Sequence, residues 1–265
     1  MRRILLATNA NDIKTSAVDF GCYIANLMRS PLIGFLLEHK QKKELAERLV
    51  PVENSDYETA LPAEIAANAD IFSNRCLHND ARHTVRHIQG NPLQGIVNES
   101  LYADIILTDG NTTFNGYDGW PSQFVKELLE HAKCPVIVTP FDFDEINEVV
   151  FAYDGTDSSI FAMKQFIYLF PELTDVKTTV LQVLDQEEHD ITEKKKLKEF
   201  LMMHYGAVHY DTLVGSAETE LFKKFLSQRN KILVMGAYGR KNFFSRSTAD
   251  ILLKTLNIPV FITHY

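Results

Sequence analysis

The stretch EVVFAYDGTDSSIFAMKQFIYLF, residues 148–170, contains the change of pattern that decides the fold. Its first part, EVVFAY, is a short apolar run rich in β-branched residues, as buried parallel strands are. Its second part, DSSIFAMKQFIYLF, spaces apolar residues as a helix does, with Asp157 or Ser158 as the expected N-cap. The stretch therefore predicts a strand, a polar turn at residues 154–156, and a helix.

The same alternation continues to the end of the chain. Further strands are predicted at TTVLQVL (178–184), VHYDTLV (208–214), KILVMG (231–236) and IPVFITH (258–264). Helices are predicted between them at ITEKKKLKEFLMMHY (191–205), AETELFKKFLSQ (217–228) and STADILLKTL (247–256). Five strands alternating with four helices predict a doubly wound parallel sheet with right-handed crossovers.

This pattern occurs twice in the chain. The matching segments are ILLATN (4–9) with VVFAYD (149–154), RHIQGNPLQGI (86–96) with DTLVGSAETEL (211–221), and CPVIVTP (134–140) with IPVFITH (258–264). The offsets are 145, 125 and 124 residues, so one insertion of about twenty residues early in the first half explains all three. We place this insertion at about residues 40–62, as a helical excursion and loop. The sequence thus predicts two tandem five-stranded α/β units, residues 1–141 and 147–265.

Composition limits the classes of function. The chain has 265 residues, of which 45% are apolar and 23% charged, and its formal net charge is −8. The two fractions are those of an ordinary globular protein, and the negative charge argues against nucleic acid as a partner. No apolar run approaches the ~20 residues that span a bilayer, and no cleavage signature follows the N-terminus. We therefore expect a cytoplasmic protein with no nucleic-acid or membrane partner.

Motifs for metal binding and catalysis are missing from the sequence. It has no P-loop, no Rossmann glycine fingerprint and no G-x-S-x-G elbow. Its three cysteines, Cys22, Cys76 and Cys134, are scattered and odd in number, which suggests neither a disulfide framework nor a CxxC metal knuckle. His83 and His87 are four residues apart, but on a strand this spacing separates their backbones by roughly 13 Å. We predict no metal and no catalytic residues, and at most weak nucleotide hydrolysis.

The stretch MGAYGRKNFFSRSTAD, residues 235–250, follows the fourth strand of the second half. Ligands of open α/β sheets bind beyond the carboxyl ends of the strands. Here glycines would let backbone amides approach an anion, the next helix would add unsatisfied amides, and three cations would add charge. A capped turn without a ligand explains the stretch equally well, because Ser247 and Asp250 form a variant capping box and Asp250 would repel a phosphate.

Three segments together resemble the universal stress protein domain: FAYDGTDSS, the loop at Gly215, and VMGAYGR…ST…IPVFIT. Because the pattern is repeated, the whole chain is similar to a tandem universal stress protein. The resemblance implies the adenine nucleotide alpha hydrolase-like fold and a site for ATP or AMP in the second half. Family members that bind nucleotide carry an Asp after the first strand and G-x2-G-x9-G-[ST] after the fourth. In this chain only seven residues separate Gly239 from Ser247, which stands where the family has its last glycine.

The resemblance also implies roles for individual residues. It assigns the adenine contact to Asp154, a backbone contact to Val183, and phosphate contacts to Gly236 and Gly239. An Asp before Gly-Thr is equally expected as a turn or cap residue, and Val183 also fits ordinary strand core. The candidate nucleotide-binding residues are Asp154, Gly155, Thr156, Val183, Gly236, Gly239, Arg240, Ser247 and Thr248.

The first half lacks these features. Asn9 stands in the place of Asp154, and the loop TDGNTTFNGYDGWPSQ (108–123) has no GxxG spacing, so no nucleotide is expected there. Trp120 in this loop fits either a contact surface or a packing anchor.

Two functions remain open. One is a stress-response protein that holds an adenine nucleotide in its second half. The other is an interaction or dimerisation module that binds no nucleotide and acts through a protein partner. In the family the last strands of two domains often pair, which predicts pairing of PVIVTP with PVFITH within the chain and allows a homodimer.

Overall fold

The computed structural model describes residues 1–39, 62–114, 116, 118–184, 194–226, 228–236, 252–254 and 256–263. The predicted insertion at 40–62 lies outside these residues except for Pro62. The start of the helix predicted at 191–205 and most of the stretch 235–250 also lie outside them.

The first half alternates strands and helices from the N-terminus onward, as the sequence predicts. Its elements are β1 (Ile4–Asn9), α1 (Thr15–Leu27), β2 (Leu32–His39), α2 (Ala63–His78), β3 (His83–Gly90), α3 (Pro92–Ser100), β4 (Ile105–Asp109), α4 (Gln123–His131) and β5 (Val136–Thr139).

The second half repeats this order. Its elements are β6 (Glu148–Ala152), α5 (Asp157–Leu169), a 3-10 turn (Pro171–Leu173), β7 (Lys177–Leu184), α6 (Lys194–Met202), β8 (Val208–Val214), α7 (Ala217–Phe225), β9 (Lys231–Gly236) and β10 (Val260–Thr263). Residues 252–254 are also helical.

The ten strands among the described residues form one continuous sheet, in the order β3-β2-β1-β4-β5-β10-β9-β6-β7-β8. Neighbouring strands within each half are parallel. β5 and β10 are antiparallel, with Ile137 opposite Phe261. The last strand of each half therefore has a neighbour on both sides, which leaves β3 and β8 at the edges. The predicted doubly wound α/β fold is confirmed.

Helices cover both faces of the sheet and build two apolar layers. On one face α1, α2, α5 and α6 pack against the strands, and on the other face α3, α4 and α7 do so. The first layer crosses the junction of the halves, where Phe166 of α5 meets Phe261 of β10 edge to face with ring centroids 5.3 Å apart. Both layers contain residues of both halves, so the hydrophobic core is continuous along the sheet.

The repeat is visible in detail where β3 and β8 end. Gly90 and Gly215 have φ angles of +126° and +138°, a region that glycine adopts far more readily than other residues. The next residue caps a helix in each half. Asn91 accepts a hydrogen bond from the amide three residues on at 3.0 Å, and Ser216 does the same at 3.3 Å. The same turn is thus built twice, which supports the alignment of Gly90 with Gly215.

The amino end of the second-half sheet contains a buried carboxylate. Glu148 is 5% exposed, and its oxygens lie 2.7 Å from Nζ of Lys231 and 3.3 Å from Nζ of Lys177. Thr179 Oγ1 donates a further hydrogen bond at 2.8 Å. Burial alone would raise the pKa of Glu148, but these hydrogen bonds outweigh it and hold the pKa below its usual value. The group ties β6 to β7 and β9 at the end of the sheet opposite the candidate site.

Candidate functional site

The candidate site of the second half lies where β6 and β9 end side by side. β7 lies on one side of β6 and β9 lies on the other, so the strand order changes direction between β6 and β9. Ligands of open α/β sheets bind at such a switch point. Phe151 pairs with Val234, and this register places Gly236 beside the turn that carries Asp154. The structure thus brings these two candidate residues to the same edge of the sheet.

The two carboxylate oxygens of Asp154 have different surroundings. Oδ1 accepts hydrogen bonds from the backbone amide of Thr156 at 3.0 Å and from its hydroxyl at 2.6 Å. Oδ2 is buried and has no hydrogen-bond partner among the described residues. A buried acceptor without a partner is costly, at roughly 1–3 kcal/mol. One oxygen therefore builds the turn, and the other is a buried acceptor that the described residues leave without a partner.

Gly155 and Thr156 form the turn that leads from β6 into α5. Gly155 has a φ of +78°, which glycine tolerates, and Thr156 is the N-cap of α5. The hydroxyl of Thr156 accepts from the Ser159 amide at 3.3 Å while donating to Asp154. The expected N-cap at Asp157 or Ser158 is therefore wrong, because Asp157 is already the first helical residue. The side chain of Thr156 is used by the fold.

Gly236 lies against the first turn of α5. A Cβ atom added to it would lie 2.4 Å from the carbonyl oxygen of Ser158 and 2.6 Å from its hydroxyl, closer than real Cβ atoms come. Packing alone thus requires glycine at this position. Ser158 Oγ is a second buried polar atom without a hydrogen-bond partner in the described part of the chain. Sequence reasoning treated Ser158 only as a possible helix cap and did not include it among the site residues. The signal that could have identified it is its position in the first turn of the helix that follows β6, at the switch point of the sheet.

The other loop residues predicted to contact phosphate lie outside the described residues. These residues are Gly239, Arg240, Ser247 and Thr248. The alternative interpretation of this stretch, a capping box formed by Ser247 and Asp250, lies outside them as well.

Val183 is a core residue whose backbone faces the candidate site. Its side chain is 4% exposed and packs in the second apolar layer. The carbonyl of Leu181 points toward β6, where it accepts from the amide of Tyr153 at 2.9 Å. Residues two apart in a strand present their backbone groups to the same side, so Val183 also faces the β6 side. Pairing with β6 ends at Ala152 and Leu181, which places the Val183 backbone groups beyond the paired region.

A cavity of about 350 Å³ borders this turn between α5 and α6. Its size falls in the range of small-molecule sites, about 300–1,000 Å³. Aliphatic and aromatic side chains form much of its wall, with one carboxylate and one ammonium group. The lining residues are Tyr153, Gly155, Thr156, Asp157, Ile160, Lys196, Leu197 and Phe200.

Asn9, the first-half residue at the position of Asp154, forms hydrogen bonds within the protein through both groups of its amide. Its Nδ2 donates to the carbonyl of Thr113 at 2.6 Å, and its Oδ1 accepts from the amide of Asn11 at 2.8 Å. The loop after β4 thus folds onto the residue that would contact a base, and both groups of the amide bind the protein's own backbone.

Asp109 ends β4 in the same way that Gly236 ends β9. Its side chain is 3% exposed, and Oδ1 accepts from the amide of Asn111 at 2.8 Å. Burial raises the pKa of this carboxyl. The first half therefore has a buried carboxyl group where the second half has no side chain at all, so the ends of β4 and β9 differ in charge and in shape.

Trp120 anchors the first-half loop to the second half. Its indole Nε1 donates to the carbonyl of Leu253 at 2.7 Å, and its ring lies 4.5 Å from that of Phe141 between centroids. A second hydrogen bond, from the amide of Phe141 to Asn257 Oδ1 at 2.9 Å, crosses the same junction. The loop that carries Trp120 is thus part of the contact between the two halves.

The histidines of β3 contact other groups of the protein. Nε2 of His87 lies 3.0 Å from Oε2 of Glu38, and Nδ1 of His83 lies 3.1 Å from the carbonyl oxygen of Ala81. Within the described ranges, no three His, Cys, Asp or Glu side chains are grouped so as to hold a metal ion. The helices in those ranges include none that is long and apolar enough to cross a membrane.

Comparison with known proteins agrees with the geometry of the fold. No family model matches the chain. A universal stress protein of Synechocystis sp. is 27% identical over 162 residues, which cover 59% of this chain and 56% of that protein. The match thus spans little more than half the length of this relative.

Solved structures match almost the entire chain. The crystal structure of a universal stress protein from Archaeoglobus fulgidus has a TM-score of 0.66 at 14% identity and covers 98% of both chains. A functionally unknown protein from Pseudomonas aeruginosa has a TM-score of 0.60 at 14% identity and covers 99% of this chain and 92% of that chain. Such identities show the fold alone. The chain is therefore similar in sequence to a universal stress protein over more than half of its length, and it shares the fold of another over nearly all of its length.

Proposed function

We propose that the chain is a cytoplasmic stress-response protein whose second half binds an adenine nucleotide, ATP or AMP. The observation that carries the proposal is the buried Oδ2 of Asp154, which has no partner among the described residues at the switch point of the sheet. A carboxylate oxygen accepts hydrogen bonds only, and the exocyclic amino group of adenine is a donor. The turn built by Asp154 and Thr156 holds this oxygen in place before a ligand arrives.

The remaining proposed contacts involve backbone groups of β7 and the stretch that follows β9. The backbone groups of Val183 face the β6 side beyond the paired region and are available to the edge of a base. Gly236 leads from the end of β9 into the stretch proposed to hold phosphate. There Gly239 would let backbone amides approach the anion, and Arg240 would add a charge-assisted contact. Ser247 and Thr248 would complete the cradle at the start of the following helix.

Binding rather than turnover is the proposed output. The side chains around Asp154 supply hydrogen-bond acceptors and a hydroxyl, and that hydroxyl, of Thr156, is held by the Asp154 turn and by the cap of α5. We propose that the nucleotide acts as a signal that stabilises one state of the protein. The two units, residues 1–141 and 147–265, would then have different roles.

For the first half we propose the second candidate function, an interaction module without nucleotide. The observation that favours it is the pair of hydrogen bonds that use both groups of the Asn9 amide. The first half would act through its surface on a protein partner or on a second copy of the chain. Sedimentation of the purified protein, with and without ATP, tests the homodimer.

Titration calorimetry with ATP and AMP tests the nucleotide proposal. Asp154→Asn keeps an oxygen to accept the Thr156 hydrogen bonds but replaces Oδ2 by a donor, so affinity should fall while the fold persists. Losing a hydrogen bond to a charged acceptor costs about 1.5–3 kcal/mol, which is a roughly 10- to 150-fold weaker affinity. Asp175→Asn is the matched control, because it makes the same change of charge at an exposed position just before β7, at the end of the sheet opposite the candidate site. Equal affinity of wild type and Asp154→Asn would contradict the proposed site.

A further inference from the structure

Two buried cysteines meet between the first two helices. Cys22 lies on α1 and Cys76 on α2; both are fully buried, and their Sγ atoms are 3.5 Å apart. The third cysteine, Cys134, packs in the other apolar layer, and burial raises its pKa to about 12. The protein thus contains one close pair of thiols and one separate thiol held in its neutral form.

Polar contacts beside the pair hold the two helices together. Asp19 lies one helical turn before Cys22, and Arg75 directly precedes Cys76. The guanidinium Nε of Arg75 donates to Asp19 Oδ1 at 2.9 Å, and Asn79 Nδ2 donates to the same oxygen at 3.0 Å. The Arg75 side chain is 40% exposed, so this polar contact borders solvent. The helices are therefore joined by polar contacts one helical turn before Cys22 and at the residue before Cys76.

The two thiols differ in acidity. The hydrogen bond between the two thiols lowers the pKa of Cys22, and together with the nearby Arg75 guanidinium it outweighs the opposing effects of burial and Asp19. The same hydrogen bond raises the pKa of Cys76. Since the thiolate is the reactive form of cysteine, this direction favours Cys22 over Cys76 as the attacking sulfur.

We propose that Cys22 and Cys76 are a redox pair that a hydroperoxide converts into an intramolecular disulfide. The Cys22 thiolate attacks one oxygen of the peroxide, the O–O bond breaks, and protonation leaves a sulfenic acid and an alcohol, or water in the case of hydrogen peroxide. The Cys76 sulfur then attacks the Cys22 sulfur, an S–S bond forms, and the departing hydroxide takes up the Cys76 proton as water. Two thiols lose two protons and two electrons, which reduce the hydroperoxide.

Closing this bond requires a small movement. A disulfide has an S–S distance of about 2.05 Å, so the sulfurs must approach each other by about 1.5 Å. Local opening of the helix pair at its solvent-bordering rim admits the oxidant. The bond would join residues 54 apart and enclose β2 and the predicted insertion at 40–62. Because such a cross-link restricts the unfolded chain, the oxidised protein should unfold at a higher temperature.

The test treats the reduced, full-length chain with hydrogen peroxide and counts free thiols by alkylation in denaturant, followed by peptide mapping. We expect two alkylation sites to disappear, the mass to fall by about 2 Da as two hydrogens leave, and a Cys22–Cys76 peptide to form. The circular dichroism spectrum should stay unchanged, and dithiothreitol should restore both thiols. Cys134→Ser is the matched control and should keep the cross-link, whereas Cys22→Ser and Cys76→Ser should abolish it together with the rise in unfolding temperature.

Several results would overturn the proposal. One is that the protein still has three alkylatable thiols when glutathione in the same tube is fully oxidised. Others are a cross-link to Cys134, a sulfinic acid on Cys22 without a cross-link, and a disulfide that forms only in the unfolded chain. The thiol count of the wild-type protein decides the question even if a variant fails to fold. No nucleotide takes part, so the outcome is independent of the proposed nucleotide site.

Discussion

Substituting Gly236 by alanine should destabilise the protein through one identifiable contact. The new Cβ would lie 2.4 Å from the Ser158 carbonyl oxygen and 2.5 Å from the carbonyl carbon, whereas ordinary contacts begin at 3.4 Å. The shortfall is about 1 Å, and it falls on backbone atoms that no side-chain rotation can move. Either the end of β9 or the first turn of α5 must therefore shift.

The magnitude follows from two opposing terms. Forcing extra volume into a packed site costs about 1–3 kcal/mol. Replacing glycine by alanine also restricts the unfolded chain, which offsets about 0.4–1 kcal/mol. We expect a net loss of about 1–2 kcal/mol in the free energy of unfolding. At about 2–4 °C per kcal/mol for a chain of this size, the midpoint of thermal unfolding should fall by roughly 2–8 °C.

Urea and thermal unfolding, followed by circular dichroism, measure this effect. Gly206→Ala is the matched control, because a Cβ at Gly206 meets no atom within 4 Å and its φ lies outside the left-handed region. Its stability should stay equal to wild type or rise slightly. If Gly236→Ala were as stable as Gly206→Ala, the close packing of β9 on α5 would be refuted. A stability loss at Gly236 would also show that binding defects of Gly236 variants cannot be assigned to phosphate contacts alone.

Two other substitutions test a buried carboxylate in the sheet and a loop contact between the two halves. Glu148→Gln should lower stability at neutral pH, because it removes the buried charge that pairs with half-buried Lys231 and replaces one carboxylate oxygen by a donor that faces an ammonium group. The pKa of Glu148 is depressed in the folded protein, so its contribution to stability is present above the usual pKa of 4.5 and is lost as the pH falls through the folded pKa. The free energies of unfolding of wild type and variant, measured across this pH range, should therefore converge at low pH. Trp120→Phe removes the donor to the Leu253 carbonyl and should cost about 1 kcal/mol in urea unfolding, while unchanged stability would show that this contact between the halves contributes nothing.

Strand positions in the second half could be predicted because buried parallel strands leave a simple signature. The runs at 208–214 and 231–236 match β8 and β9 residue for residue, and β7 begins one residue earlier than predicted. These strands are short apolar or β-branched runs bounded by turn residues, so local sequence is sufficient. β10 is shorter than its apolar run, since only Val260–Thr263 pair with neighbours.

The helix cap at Thr156 shows where local sequence is insufficient. Thr156, Asp157 and Ser158 are all good N-cap residue types, and their order along the chain does not distinguish them. The choice depends on where β6 ends and on the hydrogen bonds from Thr156 to Asp154 Oδ1. Those bonds form only once the turn has its three-dimensional shape.

Contacts between segments that lie far apart in the sequence also could not be predicted from it. Asn9 meets Thr113 across 104 residues, and Cys22 meets Cys76 across 54. Neither pair lies within one element or one repeat position, so no periodicity relates them. Asn9 at the position that corresponds to Asp154 indicated that the first half differs from the second. It did not indicate that the loop after β4 accepts a hydrogen bond from the Asn9 amide.

The most direct test of the central claim is to identify what the natively purified protein carries. The chain is purified without added nucleotide and denatured, and the released small molecules are identified and quantified by mass spectrometry. We expect an adenine nucleotide at roughly one per chain, present in Asp175→Asn and strongly reduced in Asp154→Asn. No released nucleotide, together with no heat of binding at millimolar ATP or AMP, would contradict the claim that the second half is a nucleotide site.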